Sequence, residues 1–404
     1  YKTKDYKIES LKSDQIILLS ENIYTLDEVM ILGTTPNPKE IVKNILVYKD
    51  SNYRITTHKK QIFVRQRNIY NFINFKLNFK KSSMPTLTSE VFQKLEENMP
   101  KHTQSYSDLL TNLYIKEEKT KFAPIKAVSL KEKDVTELEG LEDAFKNAFS
   151  LNDGEYLRLK TGIFGTNKMS VTVGNHDSLG TTIKEYTSYM KHALDFSTFE
   201  DEDQWEFLHK TKRYNFEIIG GTSVNNESVY IIDFTPKKRG RYEGRIYVSV
   251  ETYALIRADY KYAPNKLGKD FHMLGVGYSE TNFSGSIYFE KNNDNYNLKY
   301  FSFQNNNNFS VNRKITLLKK KKQFLINKKL TAIKLGLDII QENKLSVELL
   351  VVDNIKISEQ DFDNFKQEKY IDVTYVNQFD KNLWKNHTTI EPTQQMKEYK
   401  KIGE

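Results

Sequence analysis

Apolar and polar side chains alternate most regularly in residues 242–262, which read YEGRIYVSVETYALIRADYKY. Successive side chains of a strand point to opposite faces of a sheet, so a period of two residues predicts β-structure. One parity is apolar or aromatic along both arms, whereas the other carries charged residues such as Arg245, Arg257, Asp259 and Lys261. We therefore predict a β-hairpin with one face covered by protein and one face in water.

Short runs of this kind follow one another from residue 213 to residue 352, separated by Asn, Gly and Asp. Strands at spacings of roughly 8 to 14 residues predict a meandering antiparallel sheet. A further run, residues 60–81, alternates around several aromatic side chains and predicts one long strand or a hairpin.

Helix signals lie mostly outside that region. Asn37 can cap a helix that has Pro38 at its first position and Glu40 in its first turn, and Ser358 followed by Asp361 predicts a second capped start. Residues 88–210 are mixed and mainly helical in pattern: one helix begins at Thr88 or Ser89, and residues 134–149 and 181–196 give two more. The predicted class is α+β, with residues 33–404 as one domain that contains a helical insertion over 88–210 and an antiparallel sheet over 213–352.

The first 32 residues predict β-structure of another kind, because the runs QIILL and LDEVMIL have the pattern of short, buried strands. Two or three strands cannot bury a sheet face alone. We expect their partner strands to precede Tyr1 or to belong to another chain.

The charge of +8 comes from 61 basic and 53 acidic residues spread along the whole chain. No basic arm or Arg-rich stripe of a nucleic-acid-binding protein is present, so we predict no nucleic-acid partner. The densest basic run is LLKKKKQFLI at 317–326. A solvated hairpin tip that protects a sheet edge is the favoured interpretation, and contact with an anionic membrane is the alternative.

Candidate chemistry is scarce. The chain has no cysteine, so thiolate catalysis and cysteine-based metal sites are excluded. Its seven histidines show no spacing that makes a metal pair, and neither a nucleophile elbow nor a phosphate-binding glycine loop occurs. We predict no catalytic residue, no metal and no cofactor, and hence a protein that is not an enzyme.

The apolar face of the 242–262 hairpin has two interpretations. A sheet covered by helices needs such a face as core, and this is the favoured interpretation. A concave pocket for an acyl chain needs the same face, and the candidate ligand-binding residues would then be Ile246, Val248, Val250, Ile256, Tyr260 and Tyr262.

Two stretches resemble known families. The opening YKTKDYKIESLKSDQIILLSENIYTLDEVMILG is similar to the last strands of a carboxypeptidase-regulatory-like domain, a transthyretin-like β-sandwich. SVYIIDFTPKKRGRYEGRIYVSVETYALIRADYKY resembles the hairpin of envelope proteins related to the lipoprotein-carrier fold. Together with the ending LWKNHTTIEP they resemble a Bacteroidota, flavobacterial, family of carboxypeptidase-like regulatory domain-containing envelope proteins.

The resemblance implies a partial β-sandwich over residues 1–32, followed by a large curved antiparallel sheet, a half-barrel, covered by helices. It implies a place in the cell envelope, associated with the outer membrane and on its periplasmic face rather than the cell surface. It transfers no catalytic residue to this chain.

From these observations we predict a non-enzymatic accessory subunit of an outer-membrane complex for protein assembly, secretion or transport. The expected partner is an outer-membrane barrel protein or another subunit of such a complex. The alternative is a periplasmic carrier that binds a lipid or the acyl chain of a lipoprotein in the concave face.

Overall fold

A computed structural model describes residues 36–54, 56–117, 119–130, 151–161, 164–165, 181–182, 190, 194–195, 198–292, 295–323 and 327–399. The predicted sandwich over 1–32, the predicted helix over 134–149 and most of that over 181–196 lie outside these residues. The sequence predicts one domain from residue 33 onward, but the structure divides into two compact units. Unit 1 comprises 1–56, 192–266 and 284–301, and unit 2 comprises 57–191, 267–283 and 302–404.

The described helices are α1 (Pro38–Val47), α2 (Lys49–Asn52), α3 (Ser89–Asn98), α4 (Glu206–His209), α5 (Glu359–Asn364) and α6 (Gln394–Lys397). The strands are β1 (His58–Ser82), β2 (His102–Lys116), β3 (Lys119–Leu130), β4 (Glu155–Thr161), β5 (Phe164–Gly165), β6 (Thr181–Thr182), β7 (Tyr214–Val224), β8 (Glu227–Pro236), β9 (Tyr242–Ser249), β10 (Leu255–Tyr262), β11 (Asp270–Met273), β12 (Val276–Asn292), β13 (Asn295–Lys321), β14 (Lys328–Lys356), β15 (Tyr370–Ile371) and β16 (Val373–Val376). None of the described helices has the length and apolar character to cross a membrane.

In unit 1, α1 begins where the sequence predicts. The Asn37 side chain accepts a hydrogen bond from the amide of Lys39, and Pro38 occupies the first helical position. This arrangement satisfies an amide that the helix itself leaves unpaired. Ile41, Val42 and Ile45 are buried, so the apolar face of the helix belongs to the core of the unit.

The strands of unit 1 form the predicted antiparallel meander, in the order β7, β8, β9, β10. The hairpin over 242–262 is confirmed, because Ile246 pairs with Ala258 and Tyr242 with Tyr262. The segment of β12 that belongs to this unit pairs with the other edge of β10, where Ala258 lies opposite Ile287.

Unit 2 contains β1, a single strand of 25 residues, as one of the two predicted alternatives has it. Its strands follow the order β16, β3, β2, β1, β14, β13, β12, with β11 on β12 and β4 on β13. β1 is antiparallel to β14 and to β2, as are β2 to β3, β11 to β12 and β4 to β13, whereas β16 runs parallel to β3.

The predicted helical insertion over 88–210 is wrong for residues 102–130, which form β2 and β3. The sequence also predicts a β insertion at GEYLRLKTGIFGT, residues 154–166, and β4 confirms it over Glu155–Thr161. The apolar residues Tyr106, Leu109, Leu110 and Leu113 have a spacing that also suits a helix, so the local pattern does not distinguish the two structures. Pairing with β1 decides in favour of a strand, because Leu109 and Leu113 lie opposite Val64 and Lys60. Within the described part, the predicted helix that begins near Ser89 is confirmed as α3.

Two hydrophobic clusters stabilise unit 2. In the first, α3 packs on the sheet through Leu87, Phe92, Leu157, Ile333 and Leu335, together with the partly buried Leu77, Phe79, Ile315, Leu317 and Leu337. We call the sheet surface that carries these side chains the α3 face. In the second cluster, Met396 and Tyr399 of the C-terminal segment pack against Tyr106, Val128 and Leu130.

Candidate functional site

The apolar face of the 242–262 hairpin, for which core was the favoured interpretation and a ligand site the alternative, is filled with side chains. Ile246, Val248, Ile256 and Tyr260 are buried, whereas Val250 and Tyr262 are half-buried. A ligand could reach the first four residues only if their covering moved.

The covering comes from residues around α4. The ring of Phe207 stacks on that of Phe234 at 4.2 Å, and the ring of Trp205 lies 5.6 Å from that of Tyr260. The Gln204 amide donates a hydrogen bond to the Tyr260 hydroxyl at 3.2 Å. Burial is the main reason that the pKa of Tyr260 is raised. These contacts make the face part of the core of unit 1.

The opposite face of the hairpin was predicted to be charged and wet, and that prediction is wrong at two positions. Tyr247 and Ser249 are buried. Ser249 donates a hydrogen bond of 2.5 Å to the buried carboxylate of Glu227, which also accepts one from the Tyr296 hydroxyl. Lys291 lies 3.7 Å from the same carboxylate. Hydrogen-bond donors and a lysine surround the Glu227 carboxylate, so they offset the free-energy cost of burying its charge. The cluster thereby connects neighbouring strands of unit 1.

A different surface, on the α3 face of unit 2, remains open to solvent. The alignment of β12, β13 and β14 at this surface follows from contacts on both sides of β13. The Asn312 amide donates to the carbonyl oxygen of Gly275 at 2.7 Å, and its side chain contacts Asp338 at 3.3 Å. Val276, Val311 and Ile339 therefore lie side by side on β12, β13 and β14. Strand pairing extends this row at both ends, because Met273 lies opposite Val276 and Phe75 lies opposite Ile339.

A second row lies beside the first. Phe271 of β11 stacks on its cross-strand partner Tyr278 at 5.9 Å, and the β12–β13 register brings Phe309 next to Tyr278. On β1, a bulge between Phe72 and Asn74 lets Phe72 join the same face, where its ring meets that of Phe75 at 5.3 Å. Gln341 of β14 lies between Phe309 and Phe72 and interrupts the second row. We call the apolar side chains of the two rows the apolar strip, which consists of Phe72, Phe75, Phe271, Met273, Val276, Tyr278, Phe309, Val311 and Ile339.

None of these nine side chains is fully buried. Phe271 and Met273 are 52% and 68% exposed, and the other seven are half-buried. An isolated exposed apolar residue is ordinary, whereas a contiguous group across five strands marks an interaction site.

A cavity of about 370 Å³ lies at the same strands, and side chains such as Ser310 and Asn312 contribute to it from the sheet face opposite to the strip. It is lined by residues 272–277, 310–312 and 338–340, which include Met273, Val276, Val311 and Ile339 of the strip. Its polar lining residues include Ser310 and Asn312. A volume of this size lies within the range of roughly 300–1,000 Å³ that is typical of ligand pockets.

Amide side chains border the strip on the side away from α3. Asn343 donates to the side-chain oxygen of Asn307 at 3.0 Å. The side-chain oxygens of Asn305 and Asn343 are buried and accept no hydrogen bond from the described residues. Such acceptors are rare in folded proteins.

The cavity also brings Asp270, His272 and Ser310 into one neighbourhood. His272 Nδ1 lies 3.6 Å from a carboxylate oxygen of Asp270, beyond hydrogen-bond distance. The side chains of His272 and Ser310 both lie over Gly277, where a Cβ would be 2.5 Å from each of them. The hydrogen bonds that connect the members of a Ser-His-Asp triad are not formed among these three residues.

Sequence reasoning did not identify the strip. Phe72, Phe75 and Phe309 lie in runs that were predicted to be strands, but the bulge at residue 73 changes the face to which β1 directs its aromatic rings. A signal was present in MLGVGY, residues 273–278, where Leu274 occupies a turn position with φ 52° and is exposed. A bulky apolar residue at such a position is uncommon and indicates a functional constraint.

No family model matches the sequence, and a comparison with curated proteins finds no match. Among solved structures, the chain is similar to a Vibrio parahaemolyticus domain named for outer membrane lipoprotein sorting, with 10% identity, 81% of this chain and 97% of that chain covered, and a TM-score of 0.23. A LolA superfamily protein from Nitrosomonas europaea has 7% identity, coverage of 82% and 99%, and a TM-score of 0.18.

The complex of MucA and MucB from Pseudomonas aeruginosa provides a third match, with 7% identity, coverage of 80% and 99%, and a TM-score of 0.19. TM-scores this low do not establish a common fold. The function of this chain therefore has to be argued from its own residues, above all from the apolar strip.

Proposed function

We propose that this chain is a non-enzymatic binding protein of the cell envelope that holds the acyl chain of a lipid or lipoprotein on the apolar strip. The observation that carries the proposal is the strip itself, nine contiguous apolar or aromatic side chains that are half-buried or exposed. The location in the envelope rests on the sequence resemblance and forms part of the proposal.

The dimensions of the strip favour an extended chain. Strands lie about 4.8 Å apart, so the row from Phe75 to Met273 spans roughly 19 Å across five strands, and the two rows are separated by about 7 Å. A long and narrow apolar surface matches an acyl chain better than a compact ring system. Each methylene group that is removed from water contributes about 0.8 kcal/mol, so partial coverage of a long chain already gives measurable affinity.

The same dimensions are small for a stable protein interface, which buries about 800 Å² on each partner. The polar groups next to the strip fit a lipid as well. Asn307 and Asn343 lie on the side of the strip away from α3 and are half-buried, so their amide groups can contact the polar headgroup of a lipid.

The proposal retains the carrier function that the sequence suggests but moves it to another part of the chain. The predicted residues Ile246, Val248, Ile256 and Tyr260 belong to the packed core of unit 1. The apolar strip belongs to unit 2 and has no residue in common with the predicted site.

A second candidate function is the predicted accessory subunit, which docks onto an outer-membrane barrel protein or another envelope subunit. One observation favours it: all four residues of β11 are exposed, and the strand pairs with β12 along one edge. An exposed edge strand can accept a strand from a partner through its backbone groups. Docking of this kind depends on the backbone of β11 more than on its side chains.

The experiment compares binding of palmitate and of monopalmitoyl glycerol to the full chain, measured by native mass spectrometry and by displacement of an environment-sensitive dye. The test variant is Phe271→Gln with Met273→Gln, two exposed strip residues. Its matched control is Val47→Gln with Ile355→Gln, which removes two exposed apolar side chains elsewhere. The control keeps the number of substitutions and their chemistry the same.

We expect both ligands to bind the wild-type chain and the control variant, and the test variant to lose roughly tenfold or more in affinity. Equal losses in the two variants, or no binding of either ligand to the wild-type chain, would contradict the proposal. The accessory function would instead gain support if the test variant still co-purifies with a barrel protein from outer membranes in mild detergent.

A further inference from the structure

The ends of β1, β4, β13 and β14 next to α3 carry an unusual concentration of lysines. Eight of them are exposed, and we call this group the lysine end: Lys80, Lys81, Lys160, Lys321, Lys322, Lys328, Lys329 and Lys334. All eight belong to unit 2, and none is part of the apolar strip. Among the described residues of these strand ends, no arginine is exposed.

Several of these lysines are held close together by strand pairing. Lys81 lies opposite Lys334 in the β1–β14 register, and Lys160 lies opposite Thr316 in the β13–β4 register. The β13–β14 register that places Val311 beside Ile339 also places Thr316 beside Lys334. One row across four strands therefore reads Lys160, Thr316, Lys334, Lys81, on the face opposite to α3.

The same register, continued towards the end of β13, brings Lys321 opposite Lys329. Like charges directly opposite each other on neighbouring strands destabilise a sheet. Two such pairs lower the stability of this end of the sheet, so we look for a role outside the fold that would account for them.

Carboxylates do little to compensate this charge. Among the described residues, Glu155 is the acidic group in ion-pair contact with this region. It binds the buried Lys319 at 3.0 Å and lies opposite Lys321 on the neighbouring strand, so one carboxylate faces this group of lysines. Helix α3 carries Glu90, Glu96 and Glu97, and no ion pair joins them to these lysines in the described structure. The lysine end thus presents a net positive surface.

We infer that the lysine end binds the headgroups of a membrane rich in anionic lipids. Lysine acts as a flexible point charge and gains about 1 kcal/mol near an anionic lipid surface, whereas arginine is the preferred residue for bidentate recognition of nucleic-acid phosphates and bases. The row of three lysines lies across a sheet face of four strands, which suits a broad charged surface. This inference goes beyond the proposed acyl-chain binding and shares no residue with it.

The test measures co-sedimentation of the full chain with vesicles of phosphatidylcholine alone and of phosphatidylcholine with phosphatidylglycerol. The variant replaces four exposed lysines of the lysine end, as Lys81→Gln, Lys328→Gln, Lys329→Gln and Lys334→Gln. The control replaces four exposed lysines elsewhere, as Lys237→Gln, Lys238→Gln, Lys381→Gln and Lys385→Gln. Both sets remove the same number of positive charges, so a simple effect of net charge is equal in the two proteins.

We expect the wild-type chain and the control to bind the anionic vesicles and not the neutral ones, and binding to weaken as salt increases. The variant should bind at least roughly tenfold more weakly than the control. Equal binding by variant and control, or equal binding to both kinds of vesicle, would overturn the inference. Retention of the wild-type chain by duplex DNA but not by anionic vesicles would overturn it as well, in favour of a nucleic-acid partner.

The outcome is separable from that of the acyl-chain experiment. The lysine variant leaves Phe271 and Met273 unchanged, so its affinity for palmitate should equal that of the control. Loss of vesicle binding together with intact palmitate binding would support both proposals.

Discussion

Arg65 and Asp108 form a buried ion pair between neighbouring strands of unit 2. Arg65 donates from Nε and Nη2 to the two carboxylate oxygens of Asp108, at 2.9 Å and 2.8 Å, and the side chains are 4% and 0% exposed. Nη1 of Arg65 donates to the carbonyl oxygen of Ile390 at 3.0 Å. The pair therefore connects the sheet to the C-terminal segment.

Removal of one partner should destabilise unit 2 strongly. We expect Asp108→Leu to lower the free energy of unfolding by about 3–5 kcal/mol, because it leaves the Arg65 guanidinium buried without its counter-charge. The double variant Arg65→Met with Asp108→Leu should recover a large part of that loss. Urea unfolding followed by fluorescence of Trp384 in a Trp205→Phe background reports on unit 2 alone, since the chain has two tryptophans.

The matched control is Lys397→Ala, which breaks an exposed ion pair with Glu391. Exposed pairs contribute about 0–1 kcal/mol, so its unfolding curve should nearly coincide with that of the parent protein. A double variant that is no more stable than Asp108→Leu would show that the pair matters for more than charge compensation.

Gly244 should not tolerate a side chain. A Cβ at this position would lie 2.2 Å from the carbonyl oxygen of Asp259 and 2.7 Å from the Cα of Tyr260, both of them backbone atoms of the paired strand. We expect Gly244→Ala to destabilise unit 1 by about 3 kcal/mol or more, because β9 and β10 would have to separate. Trp205 fluorescence in a Trp384→Phe background measures this unit.

Gly336→Ala provides the comparison, since its Cβ would have its nearest contact at 3.1 Å, with a side-chain atom of Asn78. That variant should change stability much less. Equal effects of the two substitutions would contradict the close approach of β9 and β10.

Lys60 gives unit 2 a predictable response to alkaline pH. Burial lowers the pKa of Lys60 to about 8, whereas the unfolded chain has a lysine pKa of about 10.4. Between these two values the unfolded state binds more protons, so the free energy of unfolding should rise as pH increases from about 8 to about 10. Below that window the folded protein carries the cost of a charged, buried ammonium group.

Lys60→Met should abolish this part of the pH dependence and raise stability at neutral pH. Urea midpoints of unit 2, recorded in steps across the window, measure the slope. A parent protein whose midpoint does not change, or a Lys60→Met variant with the parent's slope, would rule out titration of Lys60 as the cause.

Local chemistry in the sequence determined the helix starts and the hairpin. Asn37 and Pro38 begin α1, and Ser358 and Asp361 form the capping box of α5 with both of its hydrogen bonds present. These features depend on residues a few positions apart, so a single stretch of sequence contains all the information. The alternation of 242–262 likewise identified its buried face at Ile246, Val248, Ile256 and Tyr260.

Tertiary structure alone decided what covers that face and where apolar surface stays open. The cover around α4 comes from Trp205 and Phe207, while β2 and β3 became strands by pairing with β1 and with each other. The apolar strip joins Phe75, Val276, Val311 and Ile339, which are separated by up to 264 residues in the chain. Register between distant strands and the bulge in β1 set which side chains share a face, and neither can be read from any one strand, because alternation fixes two faces without saying which neighbours they meet.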